Sequence, residues 1–169
     1  MLKLTLDTSC FGVDSKELEE LMKICEDGKI IIQLSPITLD EMTRDHPKKL
    51  KQYVEYLRLI KEPEIQETKE FEEIANRAIS IHSSPTTDER LIQKMTNPDE
   101  FVKYTLKHES TFNDVDIFAF HVITKGDFFV TKDERGFIRG GKKELFENKF
   151  NTKVRLLDKN FIEELKSNL

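Results

Sequence analysis

The first eleven residues, MLKLTLDTSCF (1–11), decide the fold of this chain. An apolar run in LKLTL (2–6) stops abruptly at Asp7, and the small hydroxylated residues Thr8 and Ser9 follow at once. Ligands in open α/β sheets bind outside the carboxyl ends of the strands, so a buried strand that ends in a carboxylate is a common start of an active site. The stretch therefore predicts a first strand over residues 3–7 with a candidate site at its end.

The composition is that of a folded domain. The chain has 169 residues, of which 37% are hydrophobic and 35% charged, which is enough to bury a core. No apolar run approaches the ~20 residues of a membrane helix, and no signal-peptide pattern opens the chain. Cys10 and Cys25 lack CxxC spacing, so we expect reduced cysteines in a cytoplasmic protein with no membrane contact. The formal charge of −5 argues against a general nucleic-acid coat protein, but it does not exclude a nuclease, because an acidic metal site itself contributes negative charges.

The next elements predict a parallel βαβ unit. Asp14 and Glu17 form a capping-box pattern at the start of a helix, and Gly28 is a natural stop for it. The run IIIQL (30–34) is rich in β-branched residues and does not alternate, which predicts a strand buried on both faces. A strand, a helix and a second strand in this order predict a right-handed crossover.

The middle of the chain is predicted to be mainly helical. The pair SP (35–36) begins a short helix, and Pro47 begins a second one that Pro63 ends. A short third strand is predicted over 64–68. A helical insertion then follows over about 69–110, without repeats or low complexity.

The last third of the chain completes the predicted sheet. The segment NDVDIFAFHV (113–122) is apolar nearly all round, which predicts a central, covered helix capped by its first residue. Strands are predicted over 128–130 and 154–157, and Asp158 caps a final helix. The whole chain, 1–169, is thus predicted to be a single α/β domain with helices on both faces of a mostly parallel sheet.

Four carboxylates are expected at one edge of this sheet. Asp7 ends the first strand and Glu41 lies in the helix after the second. Asp114 lies in the first turn of the central helix, and Asp133 follows a strand by two residues. Because parallel strands end along one edge and each following helix begins there, the four side chains can converge. Their mutual repulsion is relieved by a divalent cation, and oxygen ligands suit Mg²⁺ or Mn²⁺, which support phosphodiester hydrolysis.

The order and spacing of these motifs resemble the PIN-domain nucleases over nearly the whole chain. The matching segments are LDTSCF (6–11), SPITLDEM (35–42), NDVDIFAFHV (113–122), FFVTKDERGF (128–137) and TKVRLLDKNFIEEL (152–165). The resemblance implies a PIN-like three-layer sandwich with four catalytic, metal-binding acids: Asp7, Glu41, Asp114 and Asp133. Thr131 matches the hydroxyl residue of the family's T-x-D turn.

The resemblance also implies an activity. Members of this family that are toxins of toxin–antitoxin pairs or RNA-processing enzymes are Mg²⁺- or Mn²⁺-dependent ribonucleases, so we expect an endoribonuclease whose products carry a 5′-phosphate and a 3′-hydroxyl. Expected partners are an RNA substrate, an antitoxin or another protein, and a second copy in a homodimer. The insertion over 69–110 is longer and more helical than in the compact toxins. The alternative function is a PIN-fold interaction module with weak or no catalysis, in which this insertion contacts a partner protein.

Neighbouring acids compete with two of the assignments. Asp116 lies two residues from Asp114 and points to nearly the opposite side of a helix, so only one of them is expected to bind the metal directly. Asp114 fits the family pattern better, and Asp116 is kept as the lower-ranked metal ligand or as a capping or outer group. Asp40 is equally acidic and competes in the same way with Glu41.

Hydroxyl and basic side chains at the same edge are candidate substrate contacts. They are Thr8, Ser9, Thr131, Lys132, Arg135 and Arg44. The four histidines show no H-x-x-x-H or H-x-H spacing, so no zinc site is predicted, and His121 is expected to be a hydrogen-bonded core or rim residue. No G-x-S-x-G elbow supports a serine hydrolase, and the lack of a Walker motif excludes a P-loop.

Overall fold

A five-stranded, all-parallel sheet forms the centre of the computed structural model, which describes residues 1–12, 14–59, 68–82 and 109–169. The strands are β1 (Leu2–Leu6), β2 (Ile30–Leu34), β3 (Leu57–Leu59), β4 (Phe128–Thr131) and β5 (Val154–Leu156). Their spatial order is β3-β2-β1-β4-β5. Leu4 of the central strand lies opposite Ile32 on one side and Phe128 on the other. The strand that opens the chain is therefore the middle of the sheet.

Eight α-helices are found in the described residues, together with 3-10 helices over Thr8–Phe11 and Val54–Tyr56. The α-helices are α1 (Lys16–Glu26), α2 (Pro36–Asp45), α3 (Pro47–Tyr53), α4 (Thr68–His82), α5 (Glu109–Ile123), α6 (Glu134–Phe137), α7 (Lys142–Phe150) and α8 (Lys159–Asn168). Ser35 and Asp158 cap α2 and α8 through their side chains, as predicted. Within these ranges, none of the helices has the length and apolarity needed to cross a membrane.

The sheet separates two apolar cores. One core lies beneath α1 and α8, and Phe128 and Val130 of β4 point into it. The other core lies beneath α4, α5 and α7, and the intervening Phe129 points into it. Phe118 of α5 is central to this second core, with its ring centroid 5.2 Å from that of Phe129 and 4.7 Å from that of Phe146. Helices on both faces of a parallel sheet confirm the predicted α/β class.

The third strand, β3, lies in a stretch for which the sequence predicts a helix. The helix that Pro47 begins ends at Tyr53 instead of continuing to Pro63, and Leu57 pairs with Ile32 on the open side of β2. Pairing with that edge satisfies backbone groups of β2 that an α-helix would leave without partners. Residues 60–67, which include most of the strand predicted over 64–68, lie outside the described residues, as do residues 83–108 of the predicted helical insertion.

Several local predictions about helix starts and strand burial also need correction. Helix α1 is capped by Ser15, whose hydroxyl accepts from the N–H of Leu18 at 3.0 Å, and not by an Asp14–Glu17 box. Strand β2 alternates between buried and half-buried residues. Its buried residues Ile30, Ile32 and Leu34 lie in the core beneath α1, whereas the residues between them face the less covered side of the sheet. The prediction that both faces are buried is therefore correct for one face only.

The central helix α5 begins four residues before the predicted cap. It starts at Glu109, so Asn113 and Asp114 lie beyond its first turn. No Gly or Pro separates Glu109 from Asn113, so nothing in the chain forces the helix to begin at the asparagine. Asp114 therefore lies outside the first turn. It does not receive the stabilisation that the helix dipole and the unpaired N–H groups give to a carboxylate in that turn.

His121 is a hydrogen-bonded core residue, which confirms the prediction. Its imidazole is fully buried, with Nδ1 3.0 Å from Thr5 Oγ1 and Nε2 2.5 Å from Thr152 Oγ1. Burial lowers the pKa of His121 to about 3. A neutral imidazole thus connects β1, α5 and the turn before β5.

We expect acidification to destabilise the fold through His121. Its pKa of about 3 in the folded chain lies below the ordinary value near 6.5, so the unfolded chain binds the additional proton between these values. The stability contribution of the neutral imidazole is therefore present above pH 6.5 and is lost as the pH falls towards 3. Between pH 6 and 4 the free energy of unfolding of the wild type should fall, relative to His121→Gln, by about 1.4 kcal/mol per pH unit. Parallel urea titrations measure this difference, and a difference that does not change with pH would contradict the prediction.

Candidate metal centre

The four predicted acids lie on elements that meet at the carboxyl edge of the sheet. Asp7 directly follows β1, and Asp133 follows β4 and begins α6. Glu41 comes from α2, which follows β2, and Asp114 comes from α5. The negative charges of Asp114 and Asp133 both act on Asp7, and those of Asp133 and Glu41 act on Asp114. The structure thus brings the four side chains into one cluster.

Asp7 is hydrogen-bonded at one carboxylate oxygen and unpartnered at the other. The residue is 1% exposed, and its Oδ2 accepts from Ser9 Oγ at 2.5 Å and from Thr131 Oγ1 at 2.7 Å. Its Oδ1 is buried and has no hydrogen-bond partner among the described residues. A buried oxygen without a donor costs free energy, and a bound cation removes that cost. Oδ1 is therefore the atom of Asp7 that suits a metal ligand.

Repulsion between the acids shows in their pKa values. Burial and the charge of Asp114 raise the pKa of Asp7 to about 7, against the opposing effect of the Ser9 and Thr131 hydroxyls. Burial also raises the pKa of Asp114. Carboxylates that share a buried site in this way are stabilised by a positive partner.

The T-x-D turn connects the first and fourth acids. Thr131 Oγ1 donates to Asp7 and accepts from the N–H of Asp133 at 2.9 Å. Ser9 Oγ accepts from the N–H of Lys132, also at 2.9 Å, while it donates to Asp7. Ser9 and Thr131 therefore position the two acids, and their contact with substrate stays a prediction.

Glu41 is held by two donors. The hydroxyl of Thr8 donates to Oε2, and the side-chain amide of Asn113 donates to Oε1 at 2.8 Å. Asn113, expected as a helix cap, instead bonds Glu41 from within α5. Glu41 is half-buried, whereas the competing Asp40 is exposed on α2. The structure therefore favours Glu41 over Asp40 as the acid of this helix.

His82, the last residue of α4, lies beside two of the acids and was missed by the sequence analysis. Its Nε2 is 3.3 Å from Asp133 Oδ2 and 3.5 Å from Asp114 Oδ2. Ligand atoms of these three residues all lie within 4.8 Å of one another. Neither ring nitrogen makes a hydrogen bond within the described residues. A single histidine without a spacing pattern gives no sequence signal, and only the packing of α4 against α5 brings it here.

The charge of His82 is coupled to that of the acids. Burial on its own lowers the pKa of the imidazole, but Asp114 and Asp133 outweigh burial and raise it to about 9. In return, His82 holds the pKa of Asp133 below its usual value, and the N–H of Gly136 contributes by donating to Oδ1 at 3.0 Å. The imidazolium is thus one positive partner that the chain itself supplies to these two acids.

Gly136 allows His82 and Asp133 to approach each other. A Cβ at this position would lie 2.2 Å from both His82 Nε2 and Asp133 Oδ2, far closer than any real contact. Lys142 holds the same region from α7, because its ammonium donates to the carbonyl oxygens of His82 and Arg135, each at 2.6 Å. Two separate features therefore fix the position of the imidazole.

Asp116 lies apart from the cluster. Burial alone raises its pKa to about 6, and none of the four acids contributes to that shift. Its neighbour Asp114, by contrast, interacts with His82, Asp133 and Glu41. This arrangement favours Asp114 over Asp116 as the direct metal ligand.

Two of the predicted basic contacts, Lys132 and Arg135, lie close to Asp133 along the chain. Lys132 is half-buried next to Asp133, and Arg135 is exposed on α6. Arg44 is exposed on α2 and pairs with Asp45 at 3.1 Å. The contact of these side chains with RNA phosphates stays a prediction.

The donor set fits a divalent cation. Ligand atoms of His82, Asp114 and Asp133 form one compact group, and Asp7, at the same edge of the sheet, adds a buried and unpartnered carboxylate oxygen. Carboxylate oxygens with a nitrogen suit the divalent metals used in hydrolysis. No protein-family model and no curated protein matches this chain. Its function is therefore inferred from the fold and the site.

Proposed function

We propose that this chain is a metal-dependent endoribonuclease with a PIN-like fold, in which Asp7, Asp114 and Asp133 hold Mg²⁺ or Mn²⁺ with the help of Glu41. The observation that carries the proposal is the buried, unpartnered Oδ1 of Asp7 in a cluster of like charges. The choice of RNA as substrate, and of the PIN-like fold within the α/β class, rests on the resemblance of the quoted segments.

The chain's own residues fix the geometry of such a site. Ser9 and Thr131 hold one oxygen of Asp7, so that the other is presented in a single orientation. Thr8 and Asn113 orient Glu41 in the same way. A divalent cation bound here would supply Lewis-acid chemistry, activating water and stabilising the leaving oxygen. Preorganised ligands of this kind avoid reorganisation during the reaction.

The expected products follow from the direction of attack. Water attacks the phosphorus in line, and the 3′-oxygen leaves, so the products carry a 5′-phosphate and a 3′-hydroxyl. Lys132 and the exposed Arg135, on either side of Asp133, supply positive charge for the RNA backbone. An antitoxin or other protein partner, a homodimer and a cytoplasmic location stay predictions.

The proposal is tested by cleavage of structured and single-stranded RNA in Mn²⁺. We expect internal cuts with 5′-phosphate ends, complete inhibition by EDTA, and a rate at least ~100-fold lower for Asp114→Asn, because a direct ligand should matter at least as much as its supporting groups. The matched control is Asp40→Asn, which removes an exposed carboxylate from α2 and should cleave at the wild-type rate.

Two results would contradict the proposal. Cleavage that continues in EDTA, or that survives Asp114→Asn, would show that the cluster does not carry the activity. A protein that neither cleaves RNA nor binds Mn²⁺ would favour the alternative, an interaction module built on the same fold.

A further inference from the structure

We propose that His82 is a nitrogen ligand in this metal site, so that the site selects a divalent transition metal such as Mn²⁺ over Mg²⁺. The inference rests on the proposed metal site but not on the identity of the substrate. It adds a residue from α4 to a set of ligands that the sequence predicts as carboxylates alone.

The first support is the spacing of the ligand atoms. Two atoms that each lie roughly 2.1 Å from one cation, at tetrahedral or octahedral angles, are about 3.0 to 3.4 Å apart. His82 Nε2 lies 3.3 Å from Asp133 Oδ2 and 3.5 Å from Asp114 Oδ2. A charge-assisted hydrogen bond would be shorter, at about 2.7–2.9 Å. The two distances from the imidazole nitrogen are thus close to those expected between ligands of one ion.

The second support is the unsatisfied hydrogen-bonding capacity of the imidazole. His82 is 9% exposed, and its Nε2 faces the two carboxylates at ion-pair distance without making a hydrogen bond of normal geometry among the described residues. A buried polar nitrogen that makes no hydrogen bond costs free energy. Coordination of a metal by Nε2, with release of the ring's proton to water, would give this nitrogen the bond that it lacks.

The third support is the way in which the fold holds the ring. Phe137 packs edge-on against the imidazole, with ring centroids 4.8 Å apart and planes at 71°. Lys142 binds the His82 carbonyl at 2.6 Å, and Gly136 leaves the space into which Nε2 reaches. Functional ligands are held in this way by supporting contacts that fix their orientation.

A nitrogen ligand changes the choice of metal. Mg²⁺ binds oxygen ligands, keeps several waters and gains little from imidazole. Imidazole suits the first-row transition metals, whose affinity for such ligands exceeds that of Mg²⁺. A His–Asp–Asp set should therefore bind Mn²⁺ in preference to Mg²⁺, although an all-carboxylate set would accept both.

Pulsed electron paramagnetic resonance of the Mn²⁺-loaded protein tests the assignment. We expect ¹⁴N coupling from a directly bound imidazole in the wild type and in the control His46→Gln, a histidine at the junction of α2 and α3. His82→Gln should lose the coupling and weaken Mn²⁺ binding by about tenfold or more. Its Mg²⁺ affinity, measured by competition with Mn²⁺, should change less than about threefold, because Mg²⁺ depends on the carboxylates.

The outcomes separate this inference from the proposed function. Mn²⁺ binding without ¹⁴N coupling in the wild type, or coupling that persists in His82→Gln, would overturn the assignment of His82 and leave the ribonuclease proposal standing. Nitrogen-coupled Mn²⁺ in a protein that does not cleave RNA would support His82 as a ligand and contradict the ribonuclease. The absence of coupling from the wild-type spectrum would overturn the assignment even if the variant does not fold.

Discussion

Asp7→Asn is expected to abolish metal-dependent RNA cleavage and, at the same time, to stabilise the protein in chelator. The loss of activity should be at least about 10³-fold, because the substitution removes the carboxylate at the centre of the proposed site. The remaining acids then hold the cation with one negative charge fewer. Wild type and variant should differ only slightly in overall structure, since Asn keeps the size and shape of the side chain.

The gain in stability follows from the direction of the pKa shift. The pKa of Asp7 in the folded chain, about 7, lies above its ordinary value, so the folded chain holds the additional proton between pH 4 and 7. The stability that this proton contributes to the folded chain is lost as the pH rises through 7. At pH 8 the buried negative charge lowers the free energy of unfolding by up to about 4 kcal/mol. The Asp7→Asn variant carries no such charge. Its free energy of unfolding in EDTA at pH 8 should therefore exceed that of the wild type.

Denaturant unfolding in EDTA and in Mn²⁺ measures both parts of this prediction. Mn²⁺ should stabilise the wild type and the control Asp40→Asn but not Asp7→Asn. If Asp7→Asn were less stable than the wild type in EDTA, or were stabilised by Mn²⁺ to the same extent, the account of Asp7 as a repelled metal ligand would be wrong.

Gly136→Ala should disable the site without unfolding the protein. The new methyl group would lie 2.2 Å from both His82 Nε2 and Asp133 Oδ2, so these two side-chain ends must move apart. We expect the affinity for Mn²⁺ and the rate of RNA cleavage to fall by about 10- to 100-fold, as for a loss of ligand positioning. The backbone at Gly136 does not adopt a positive φ, so the helix itself accepts alanine.

Gly126→Ala is the matched control for this substitution. Its methyl group would lie 2.4 Å from His121 Nδ1 and 3.1 Å from Thr5 Oγ1, in the core and away from the acids. Overpacking of this kind should lower the free energy of unfolding by about 1–3 kcal/mol and leave Mn²⁺ affinity unchanged below the melting temperature. Wild-type Mn²⁺ affinity in Gly136→Ala would contradict the proposed positions of His82 and Asp133.

The sequence was sufficient to predict four of the five strands and most of the helices of the described residues. Apolar runs that end in polar residues located β1, β2 and β4, and Ser35, Pro36 and Asp158 marked helix starts with local chemistry that the structure confirms. The strand β3 was missed because Leu57 fits a helical stripe as well as a strand. Only the open edge of β2, a long-range partner, decides between them.

The candidate site was predictable where its residues follow strands directly along the chain. Asp7 and Asp133 follow strands directly, so parallel topology places them together without further information. His82 could not be found in this way, because it depends on how α4 packs against α5 and on the space left by Gly136. The pairing of Glu41 with Asn113 was also hidden, since it requires α5 to begin before the asparagine that resembles a cap.

The central claim is that these carboxylates hold a divalent cation, and a crystal structure of the protein soaked in Mn²⁺ tests it most directly. We predict one anomalous-scattering peak at the carboxyl edge of the sheet, in contact with Asp7 Oδ1, Asp114 and Asp133. A peak bound elsewhere in the chain, or no peak at a Mn²⁺ concentration that supports RNA cleavage, would contradict the account.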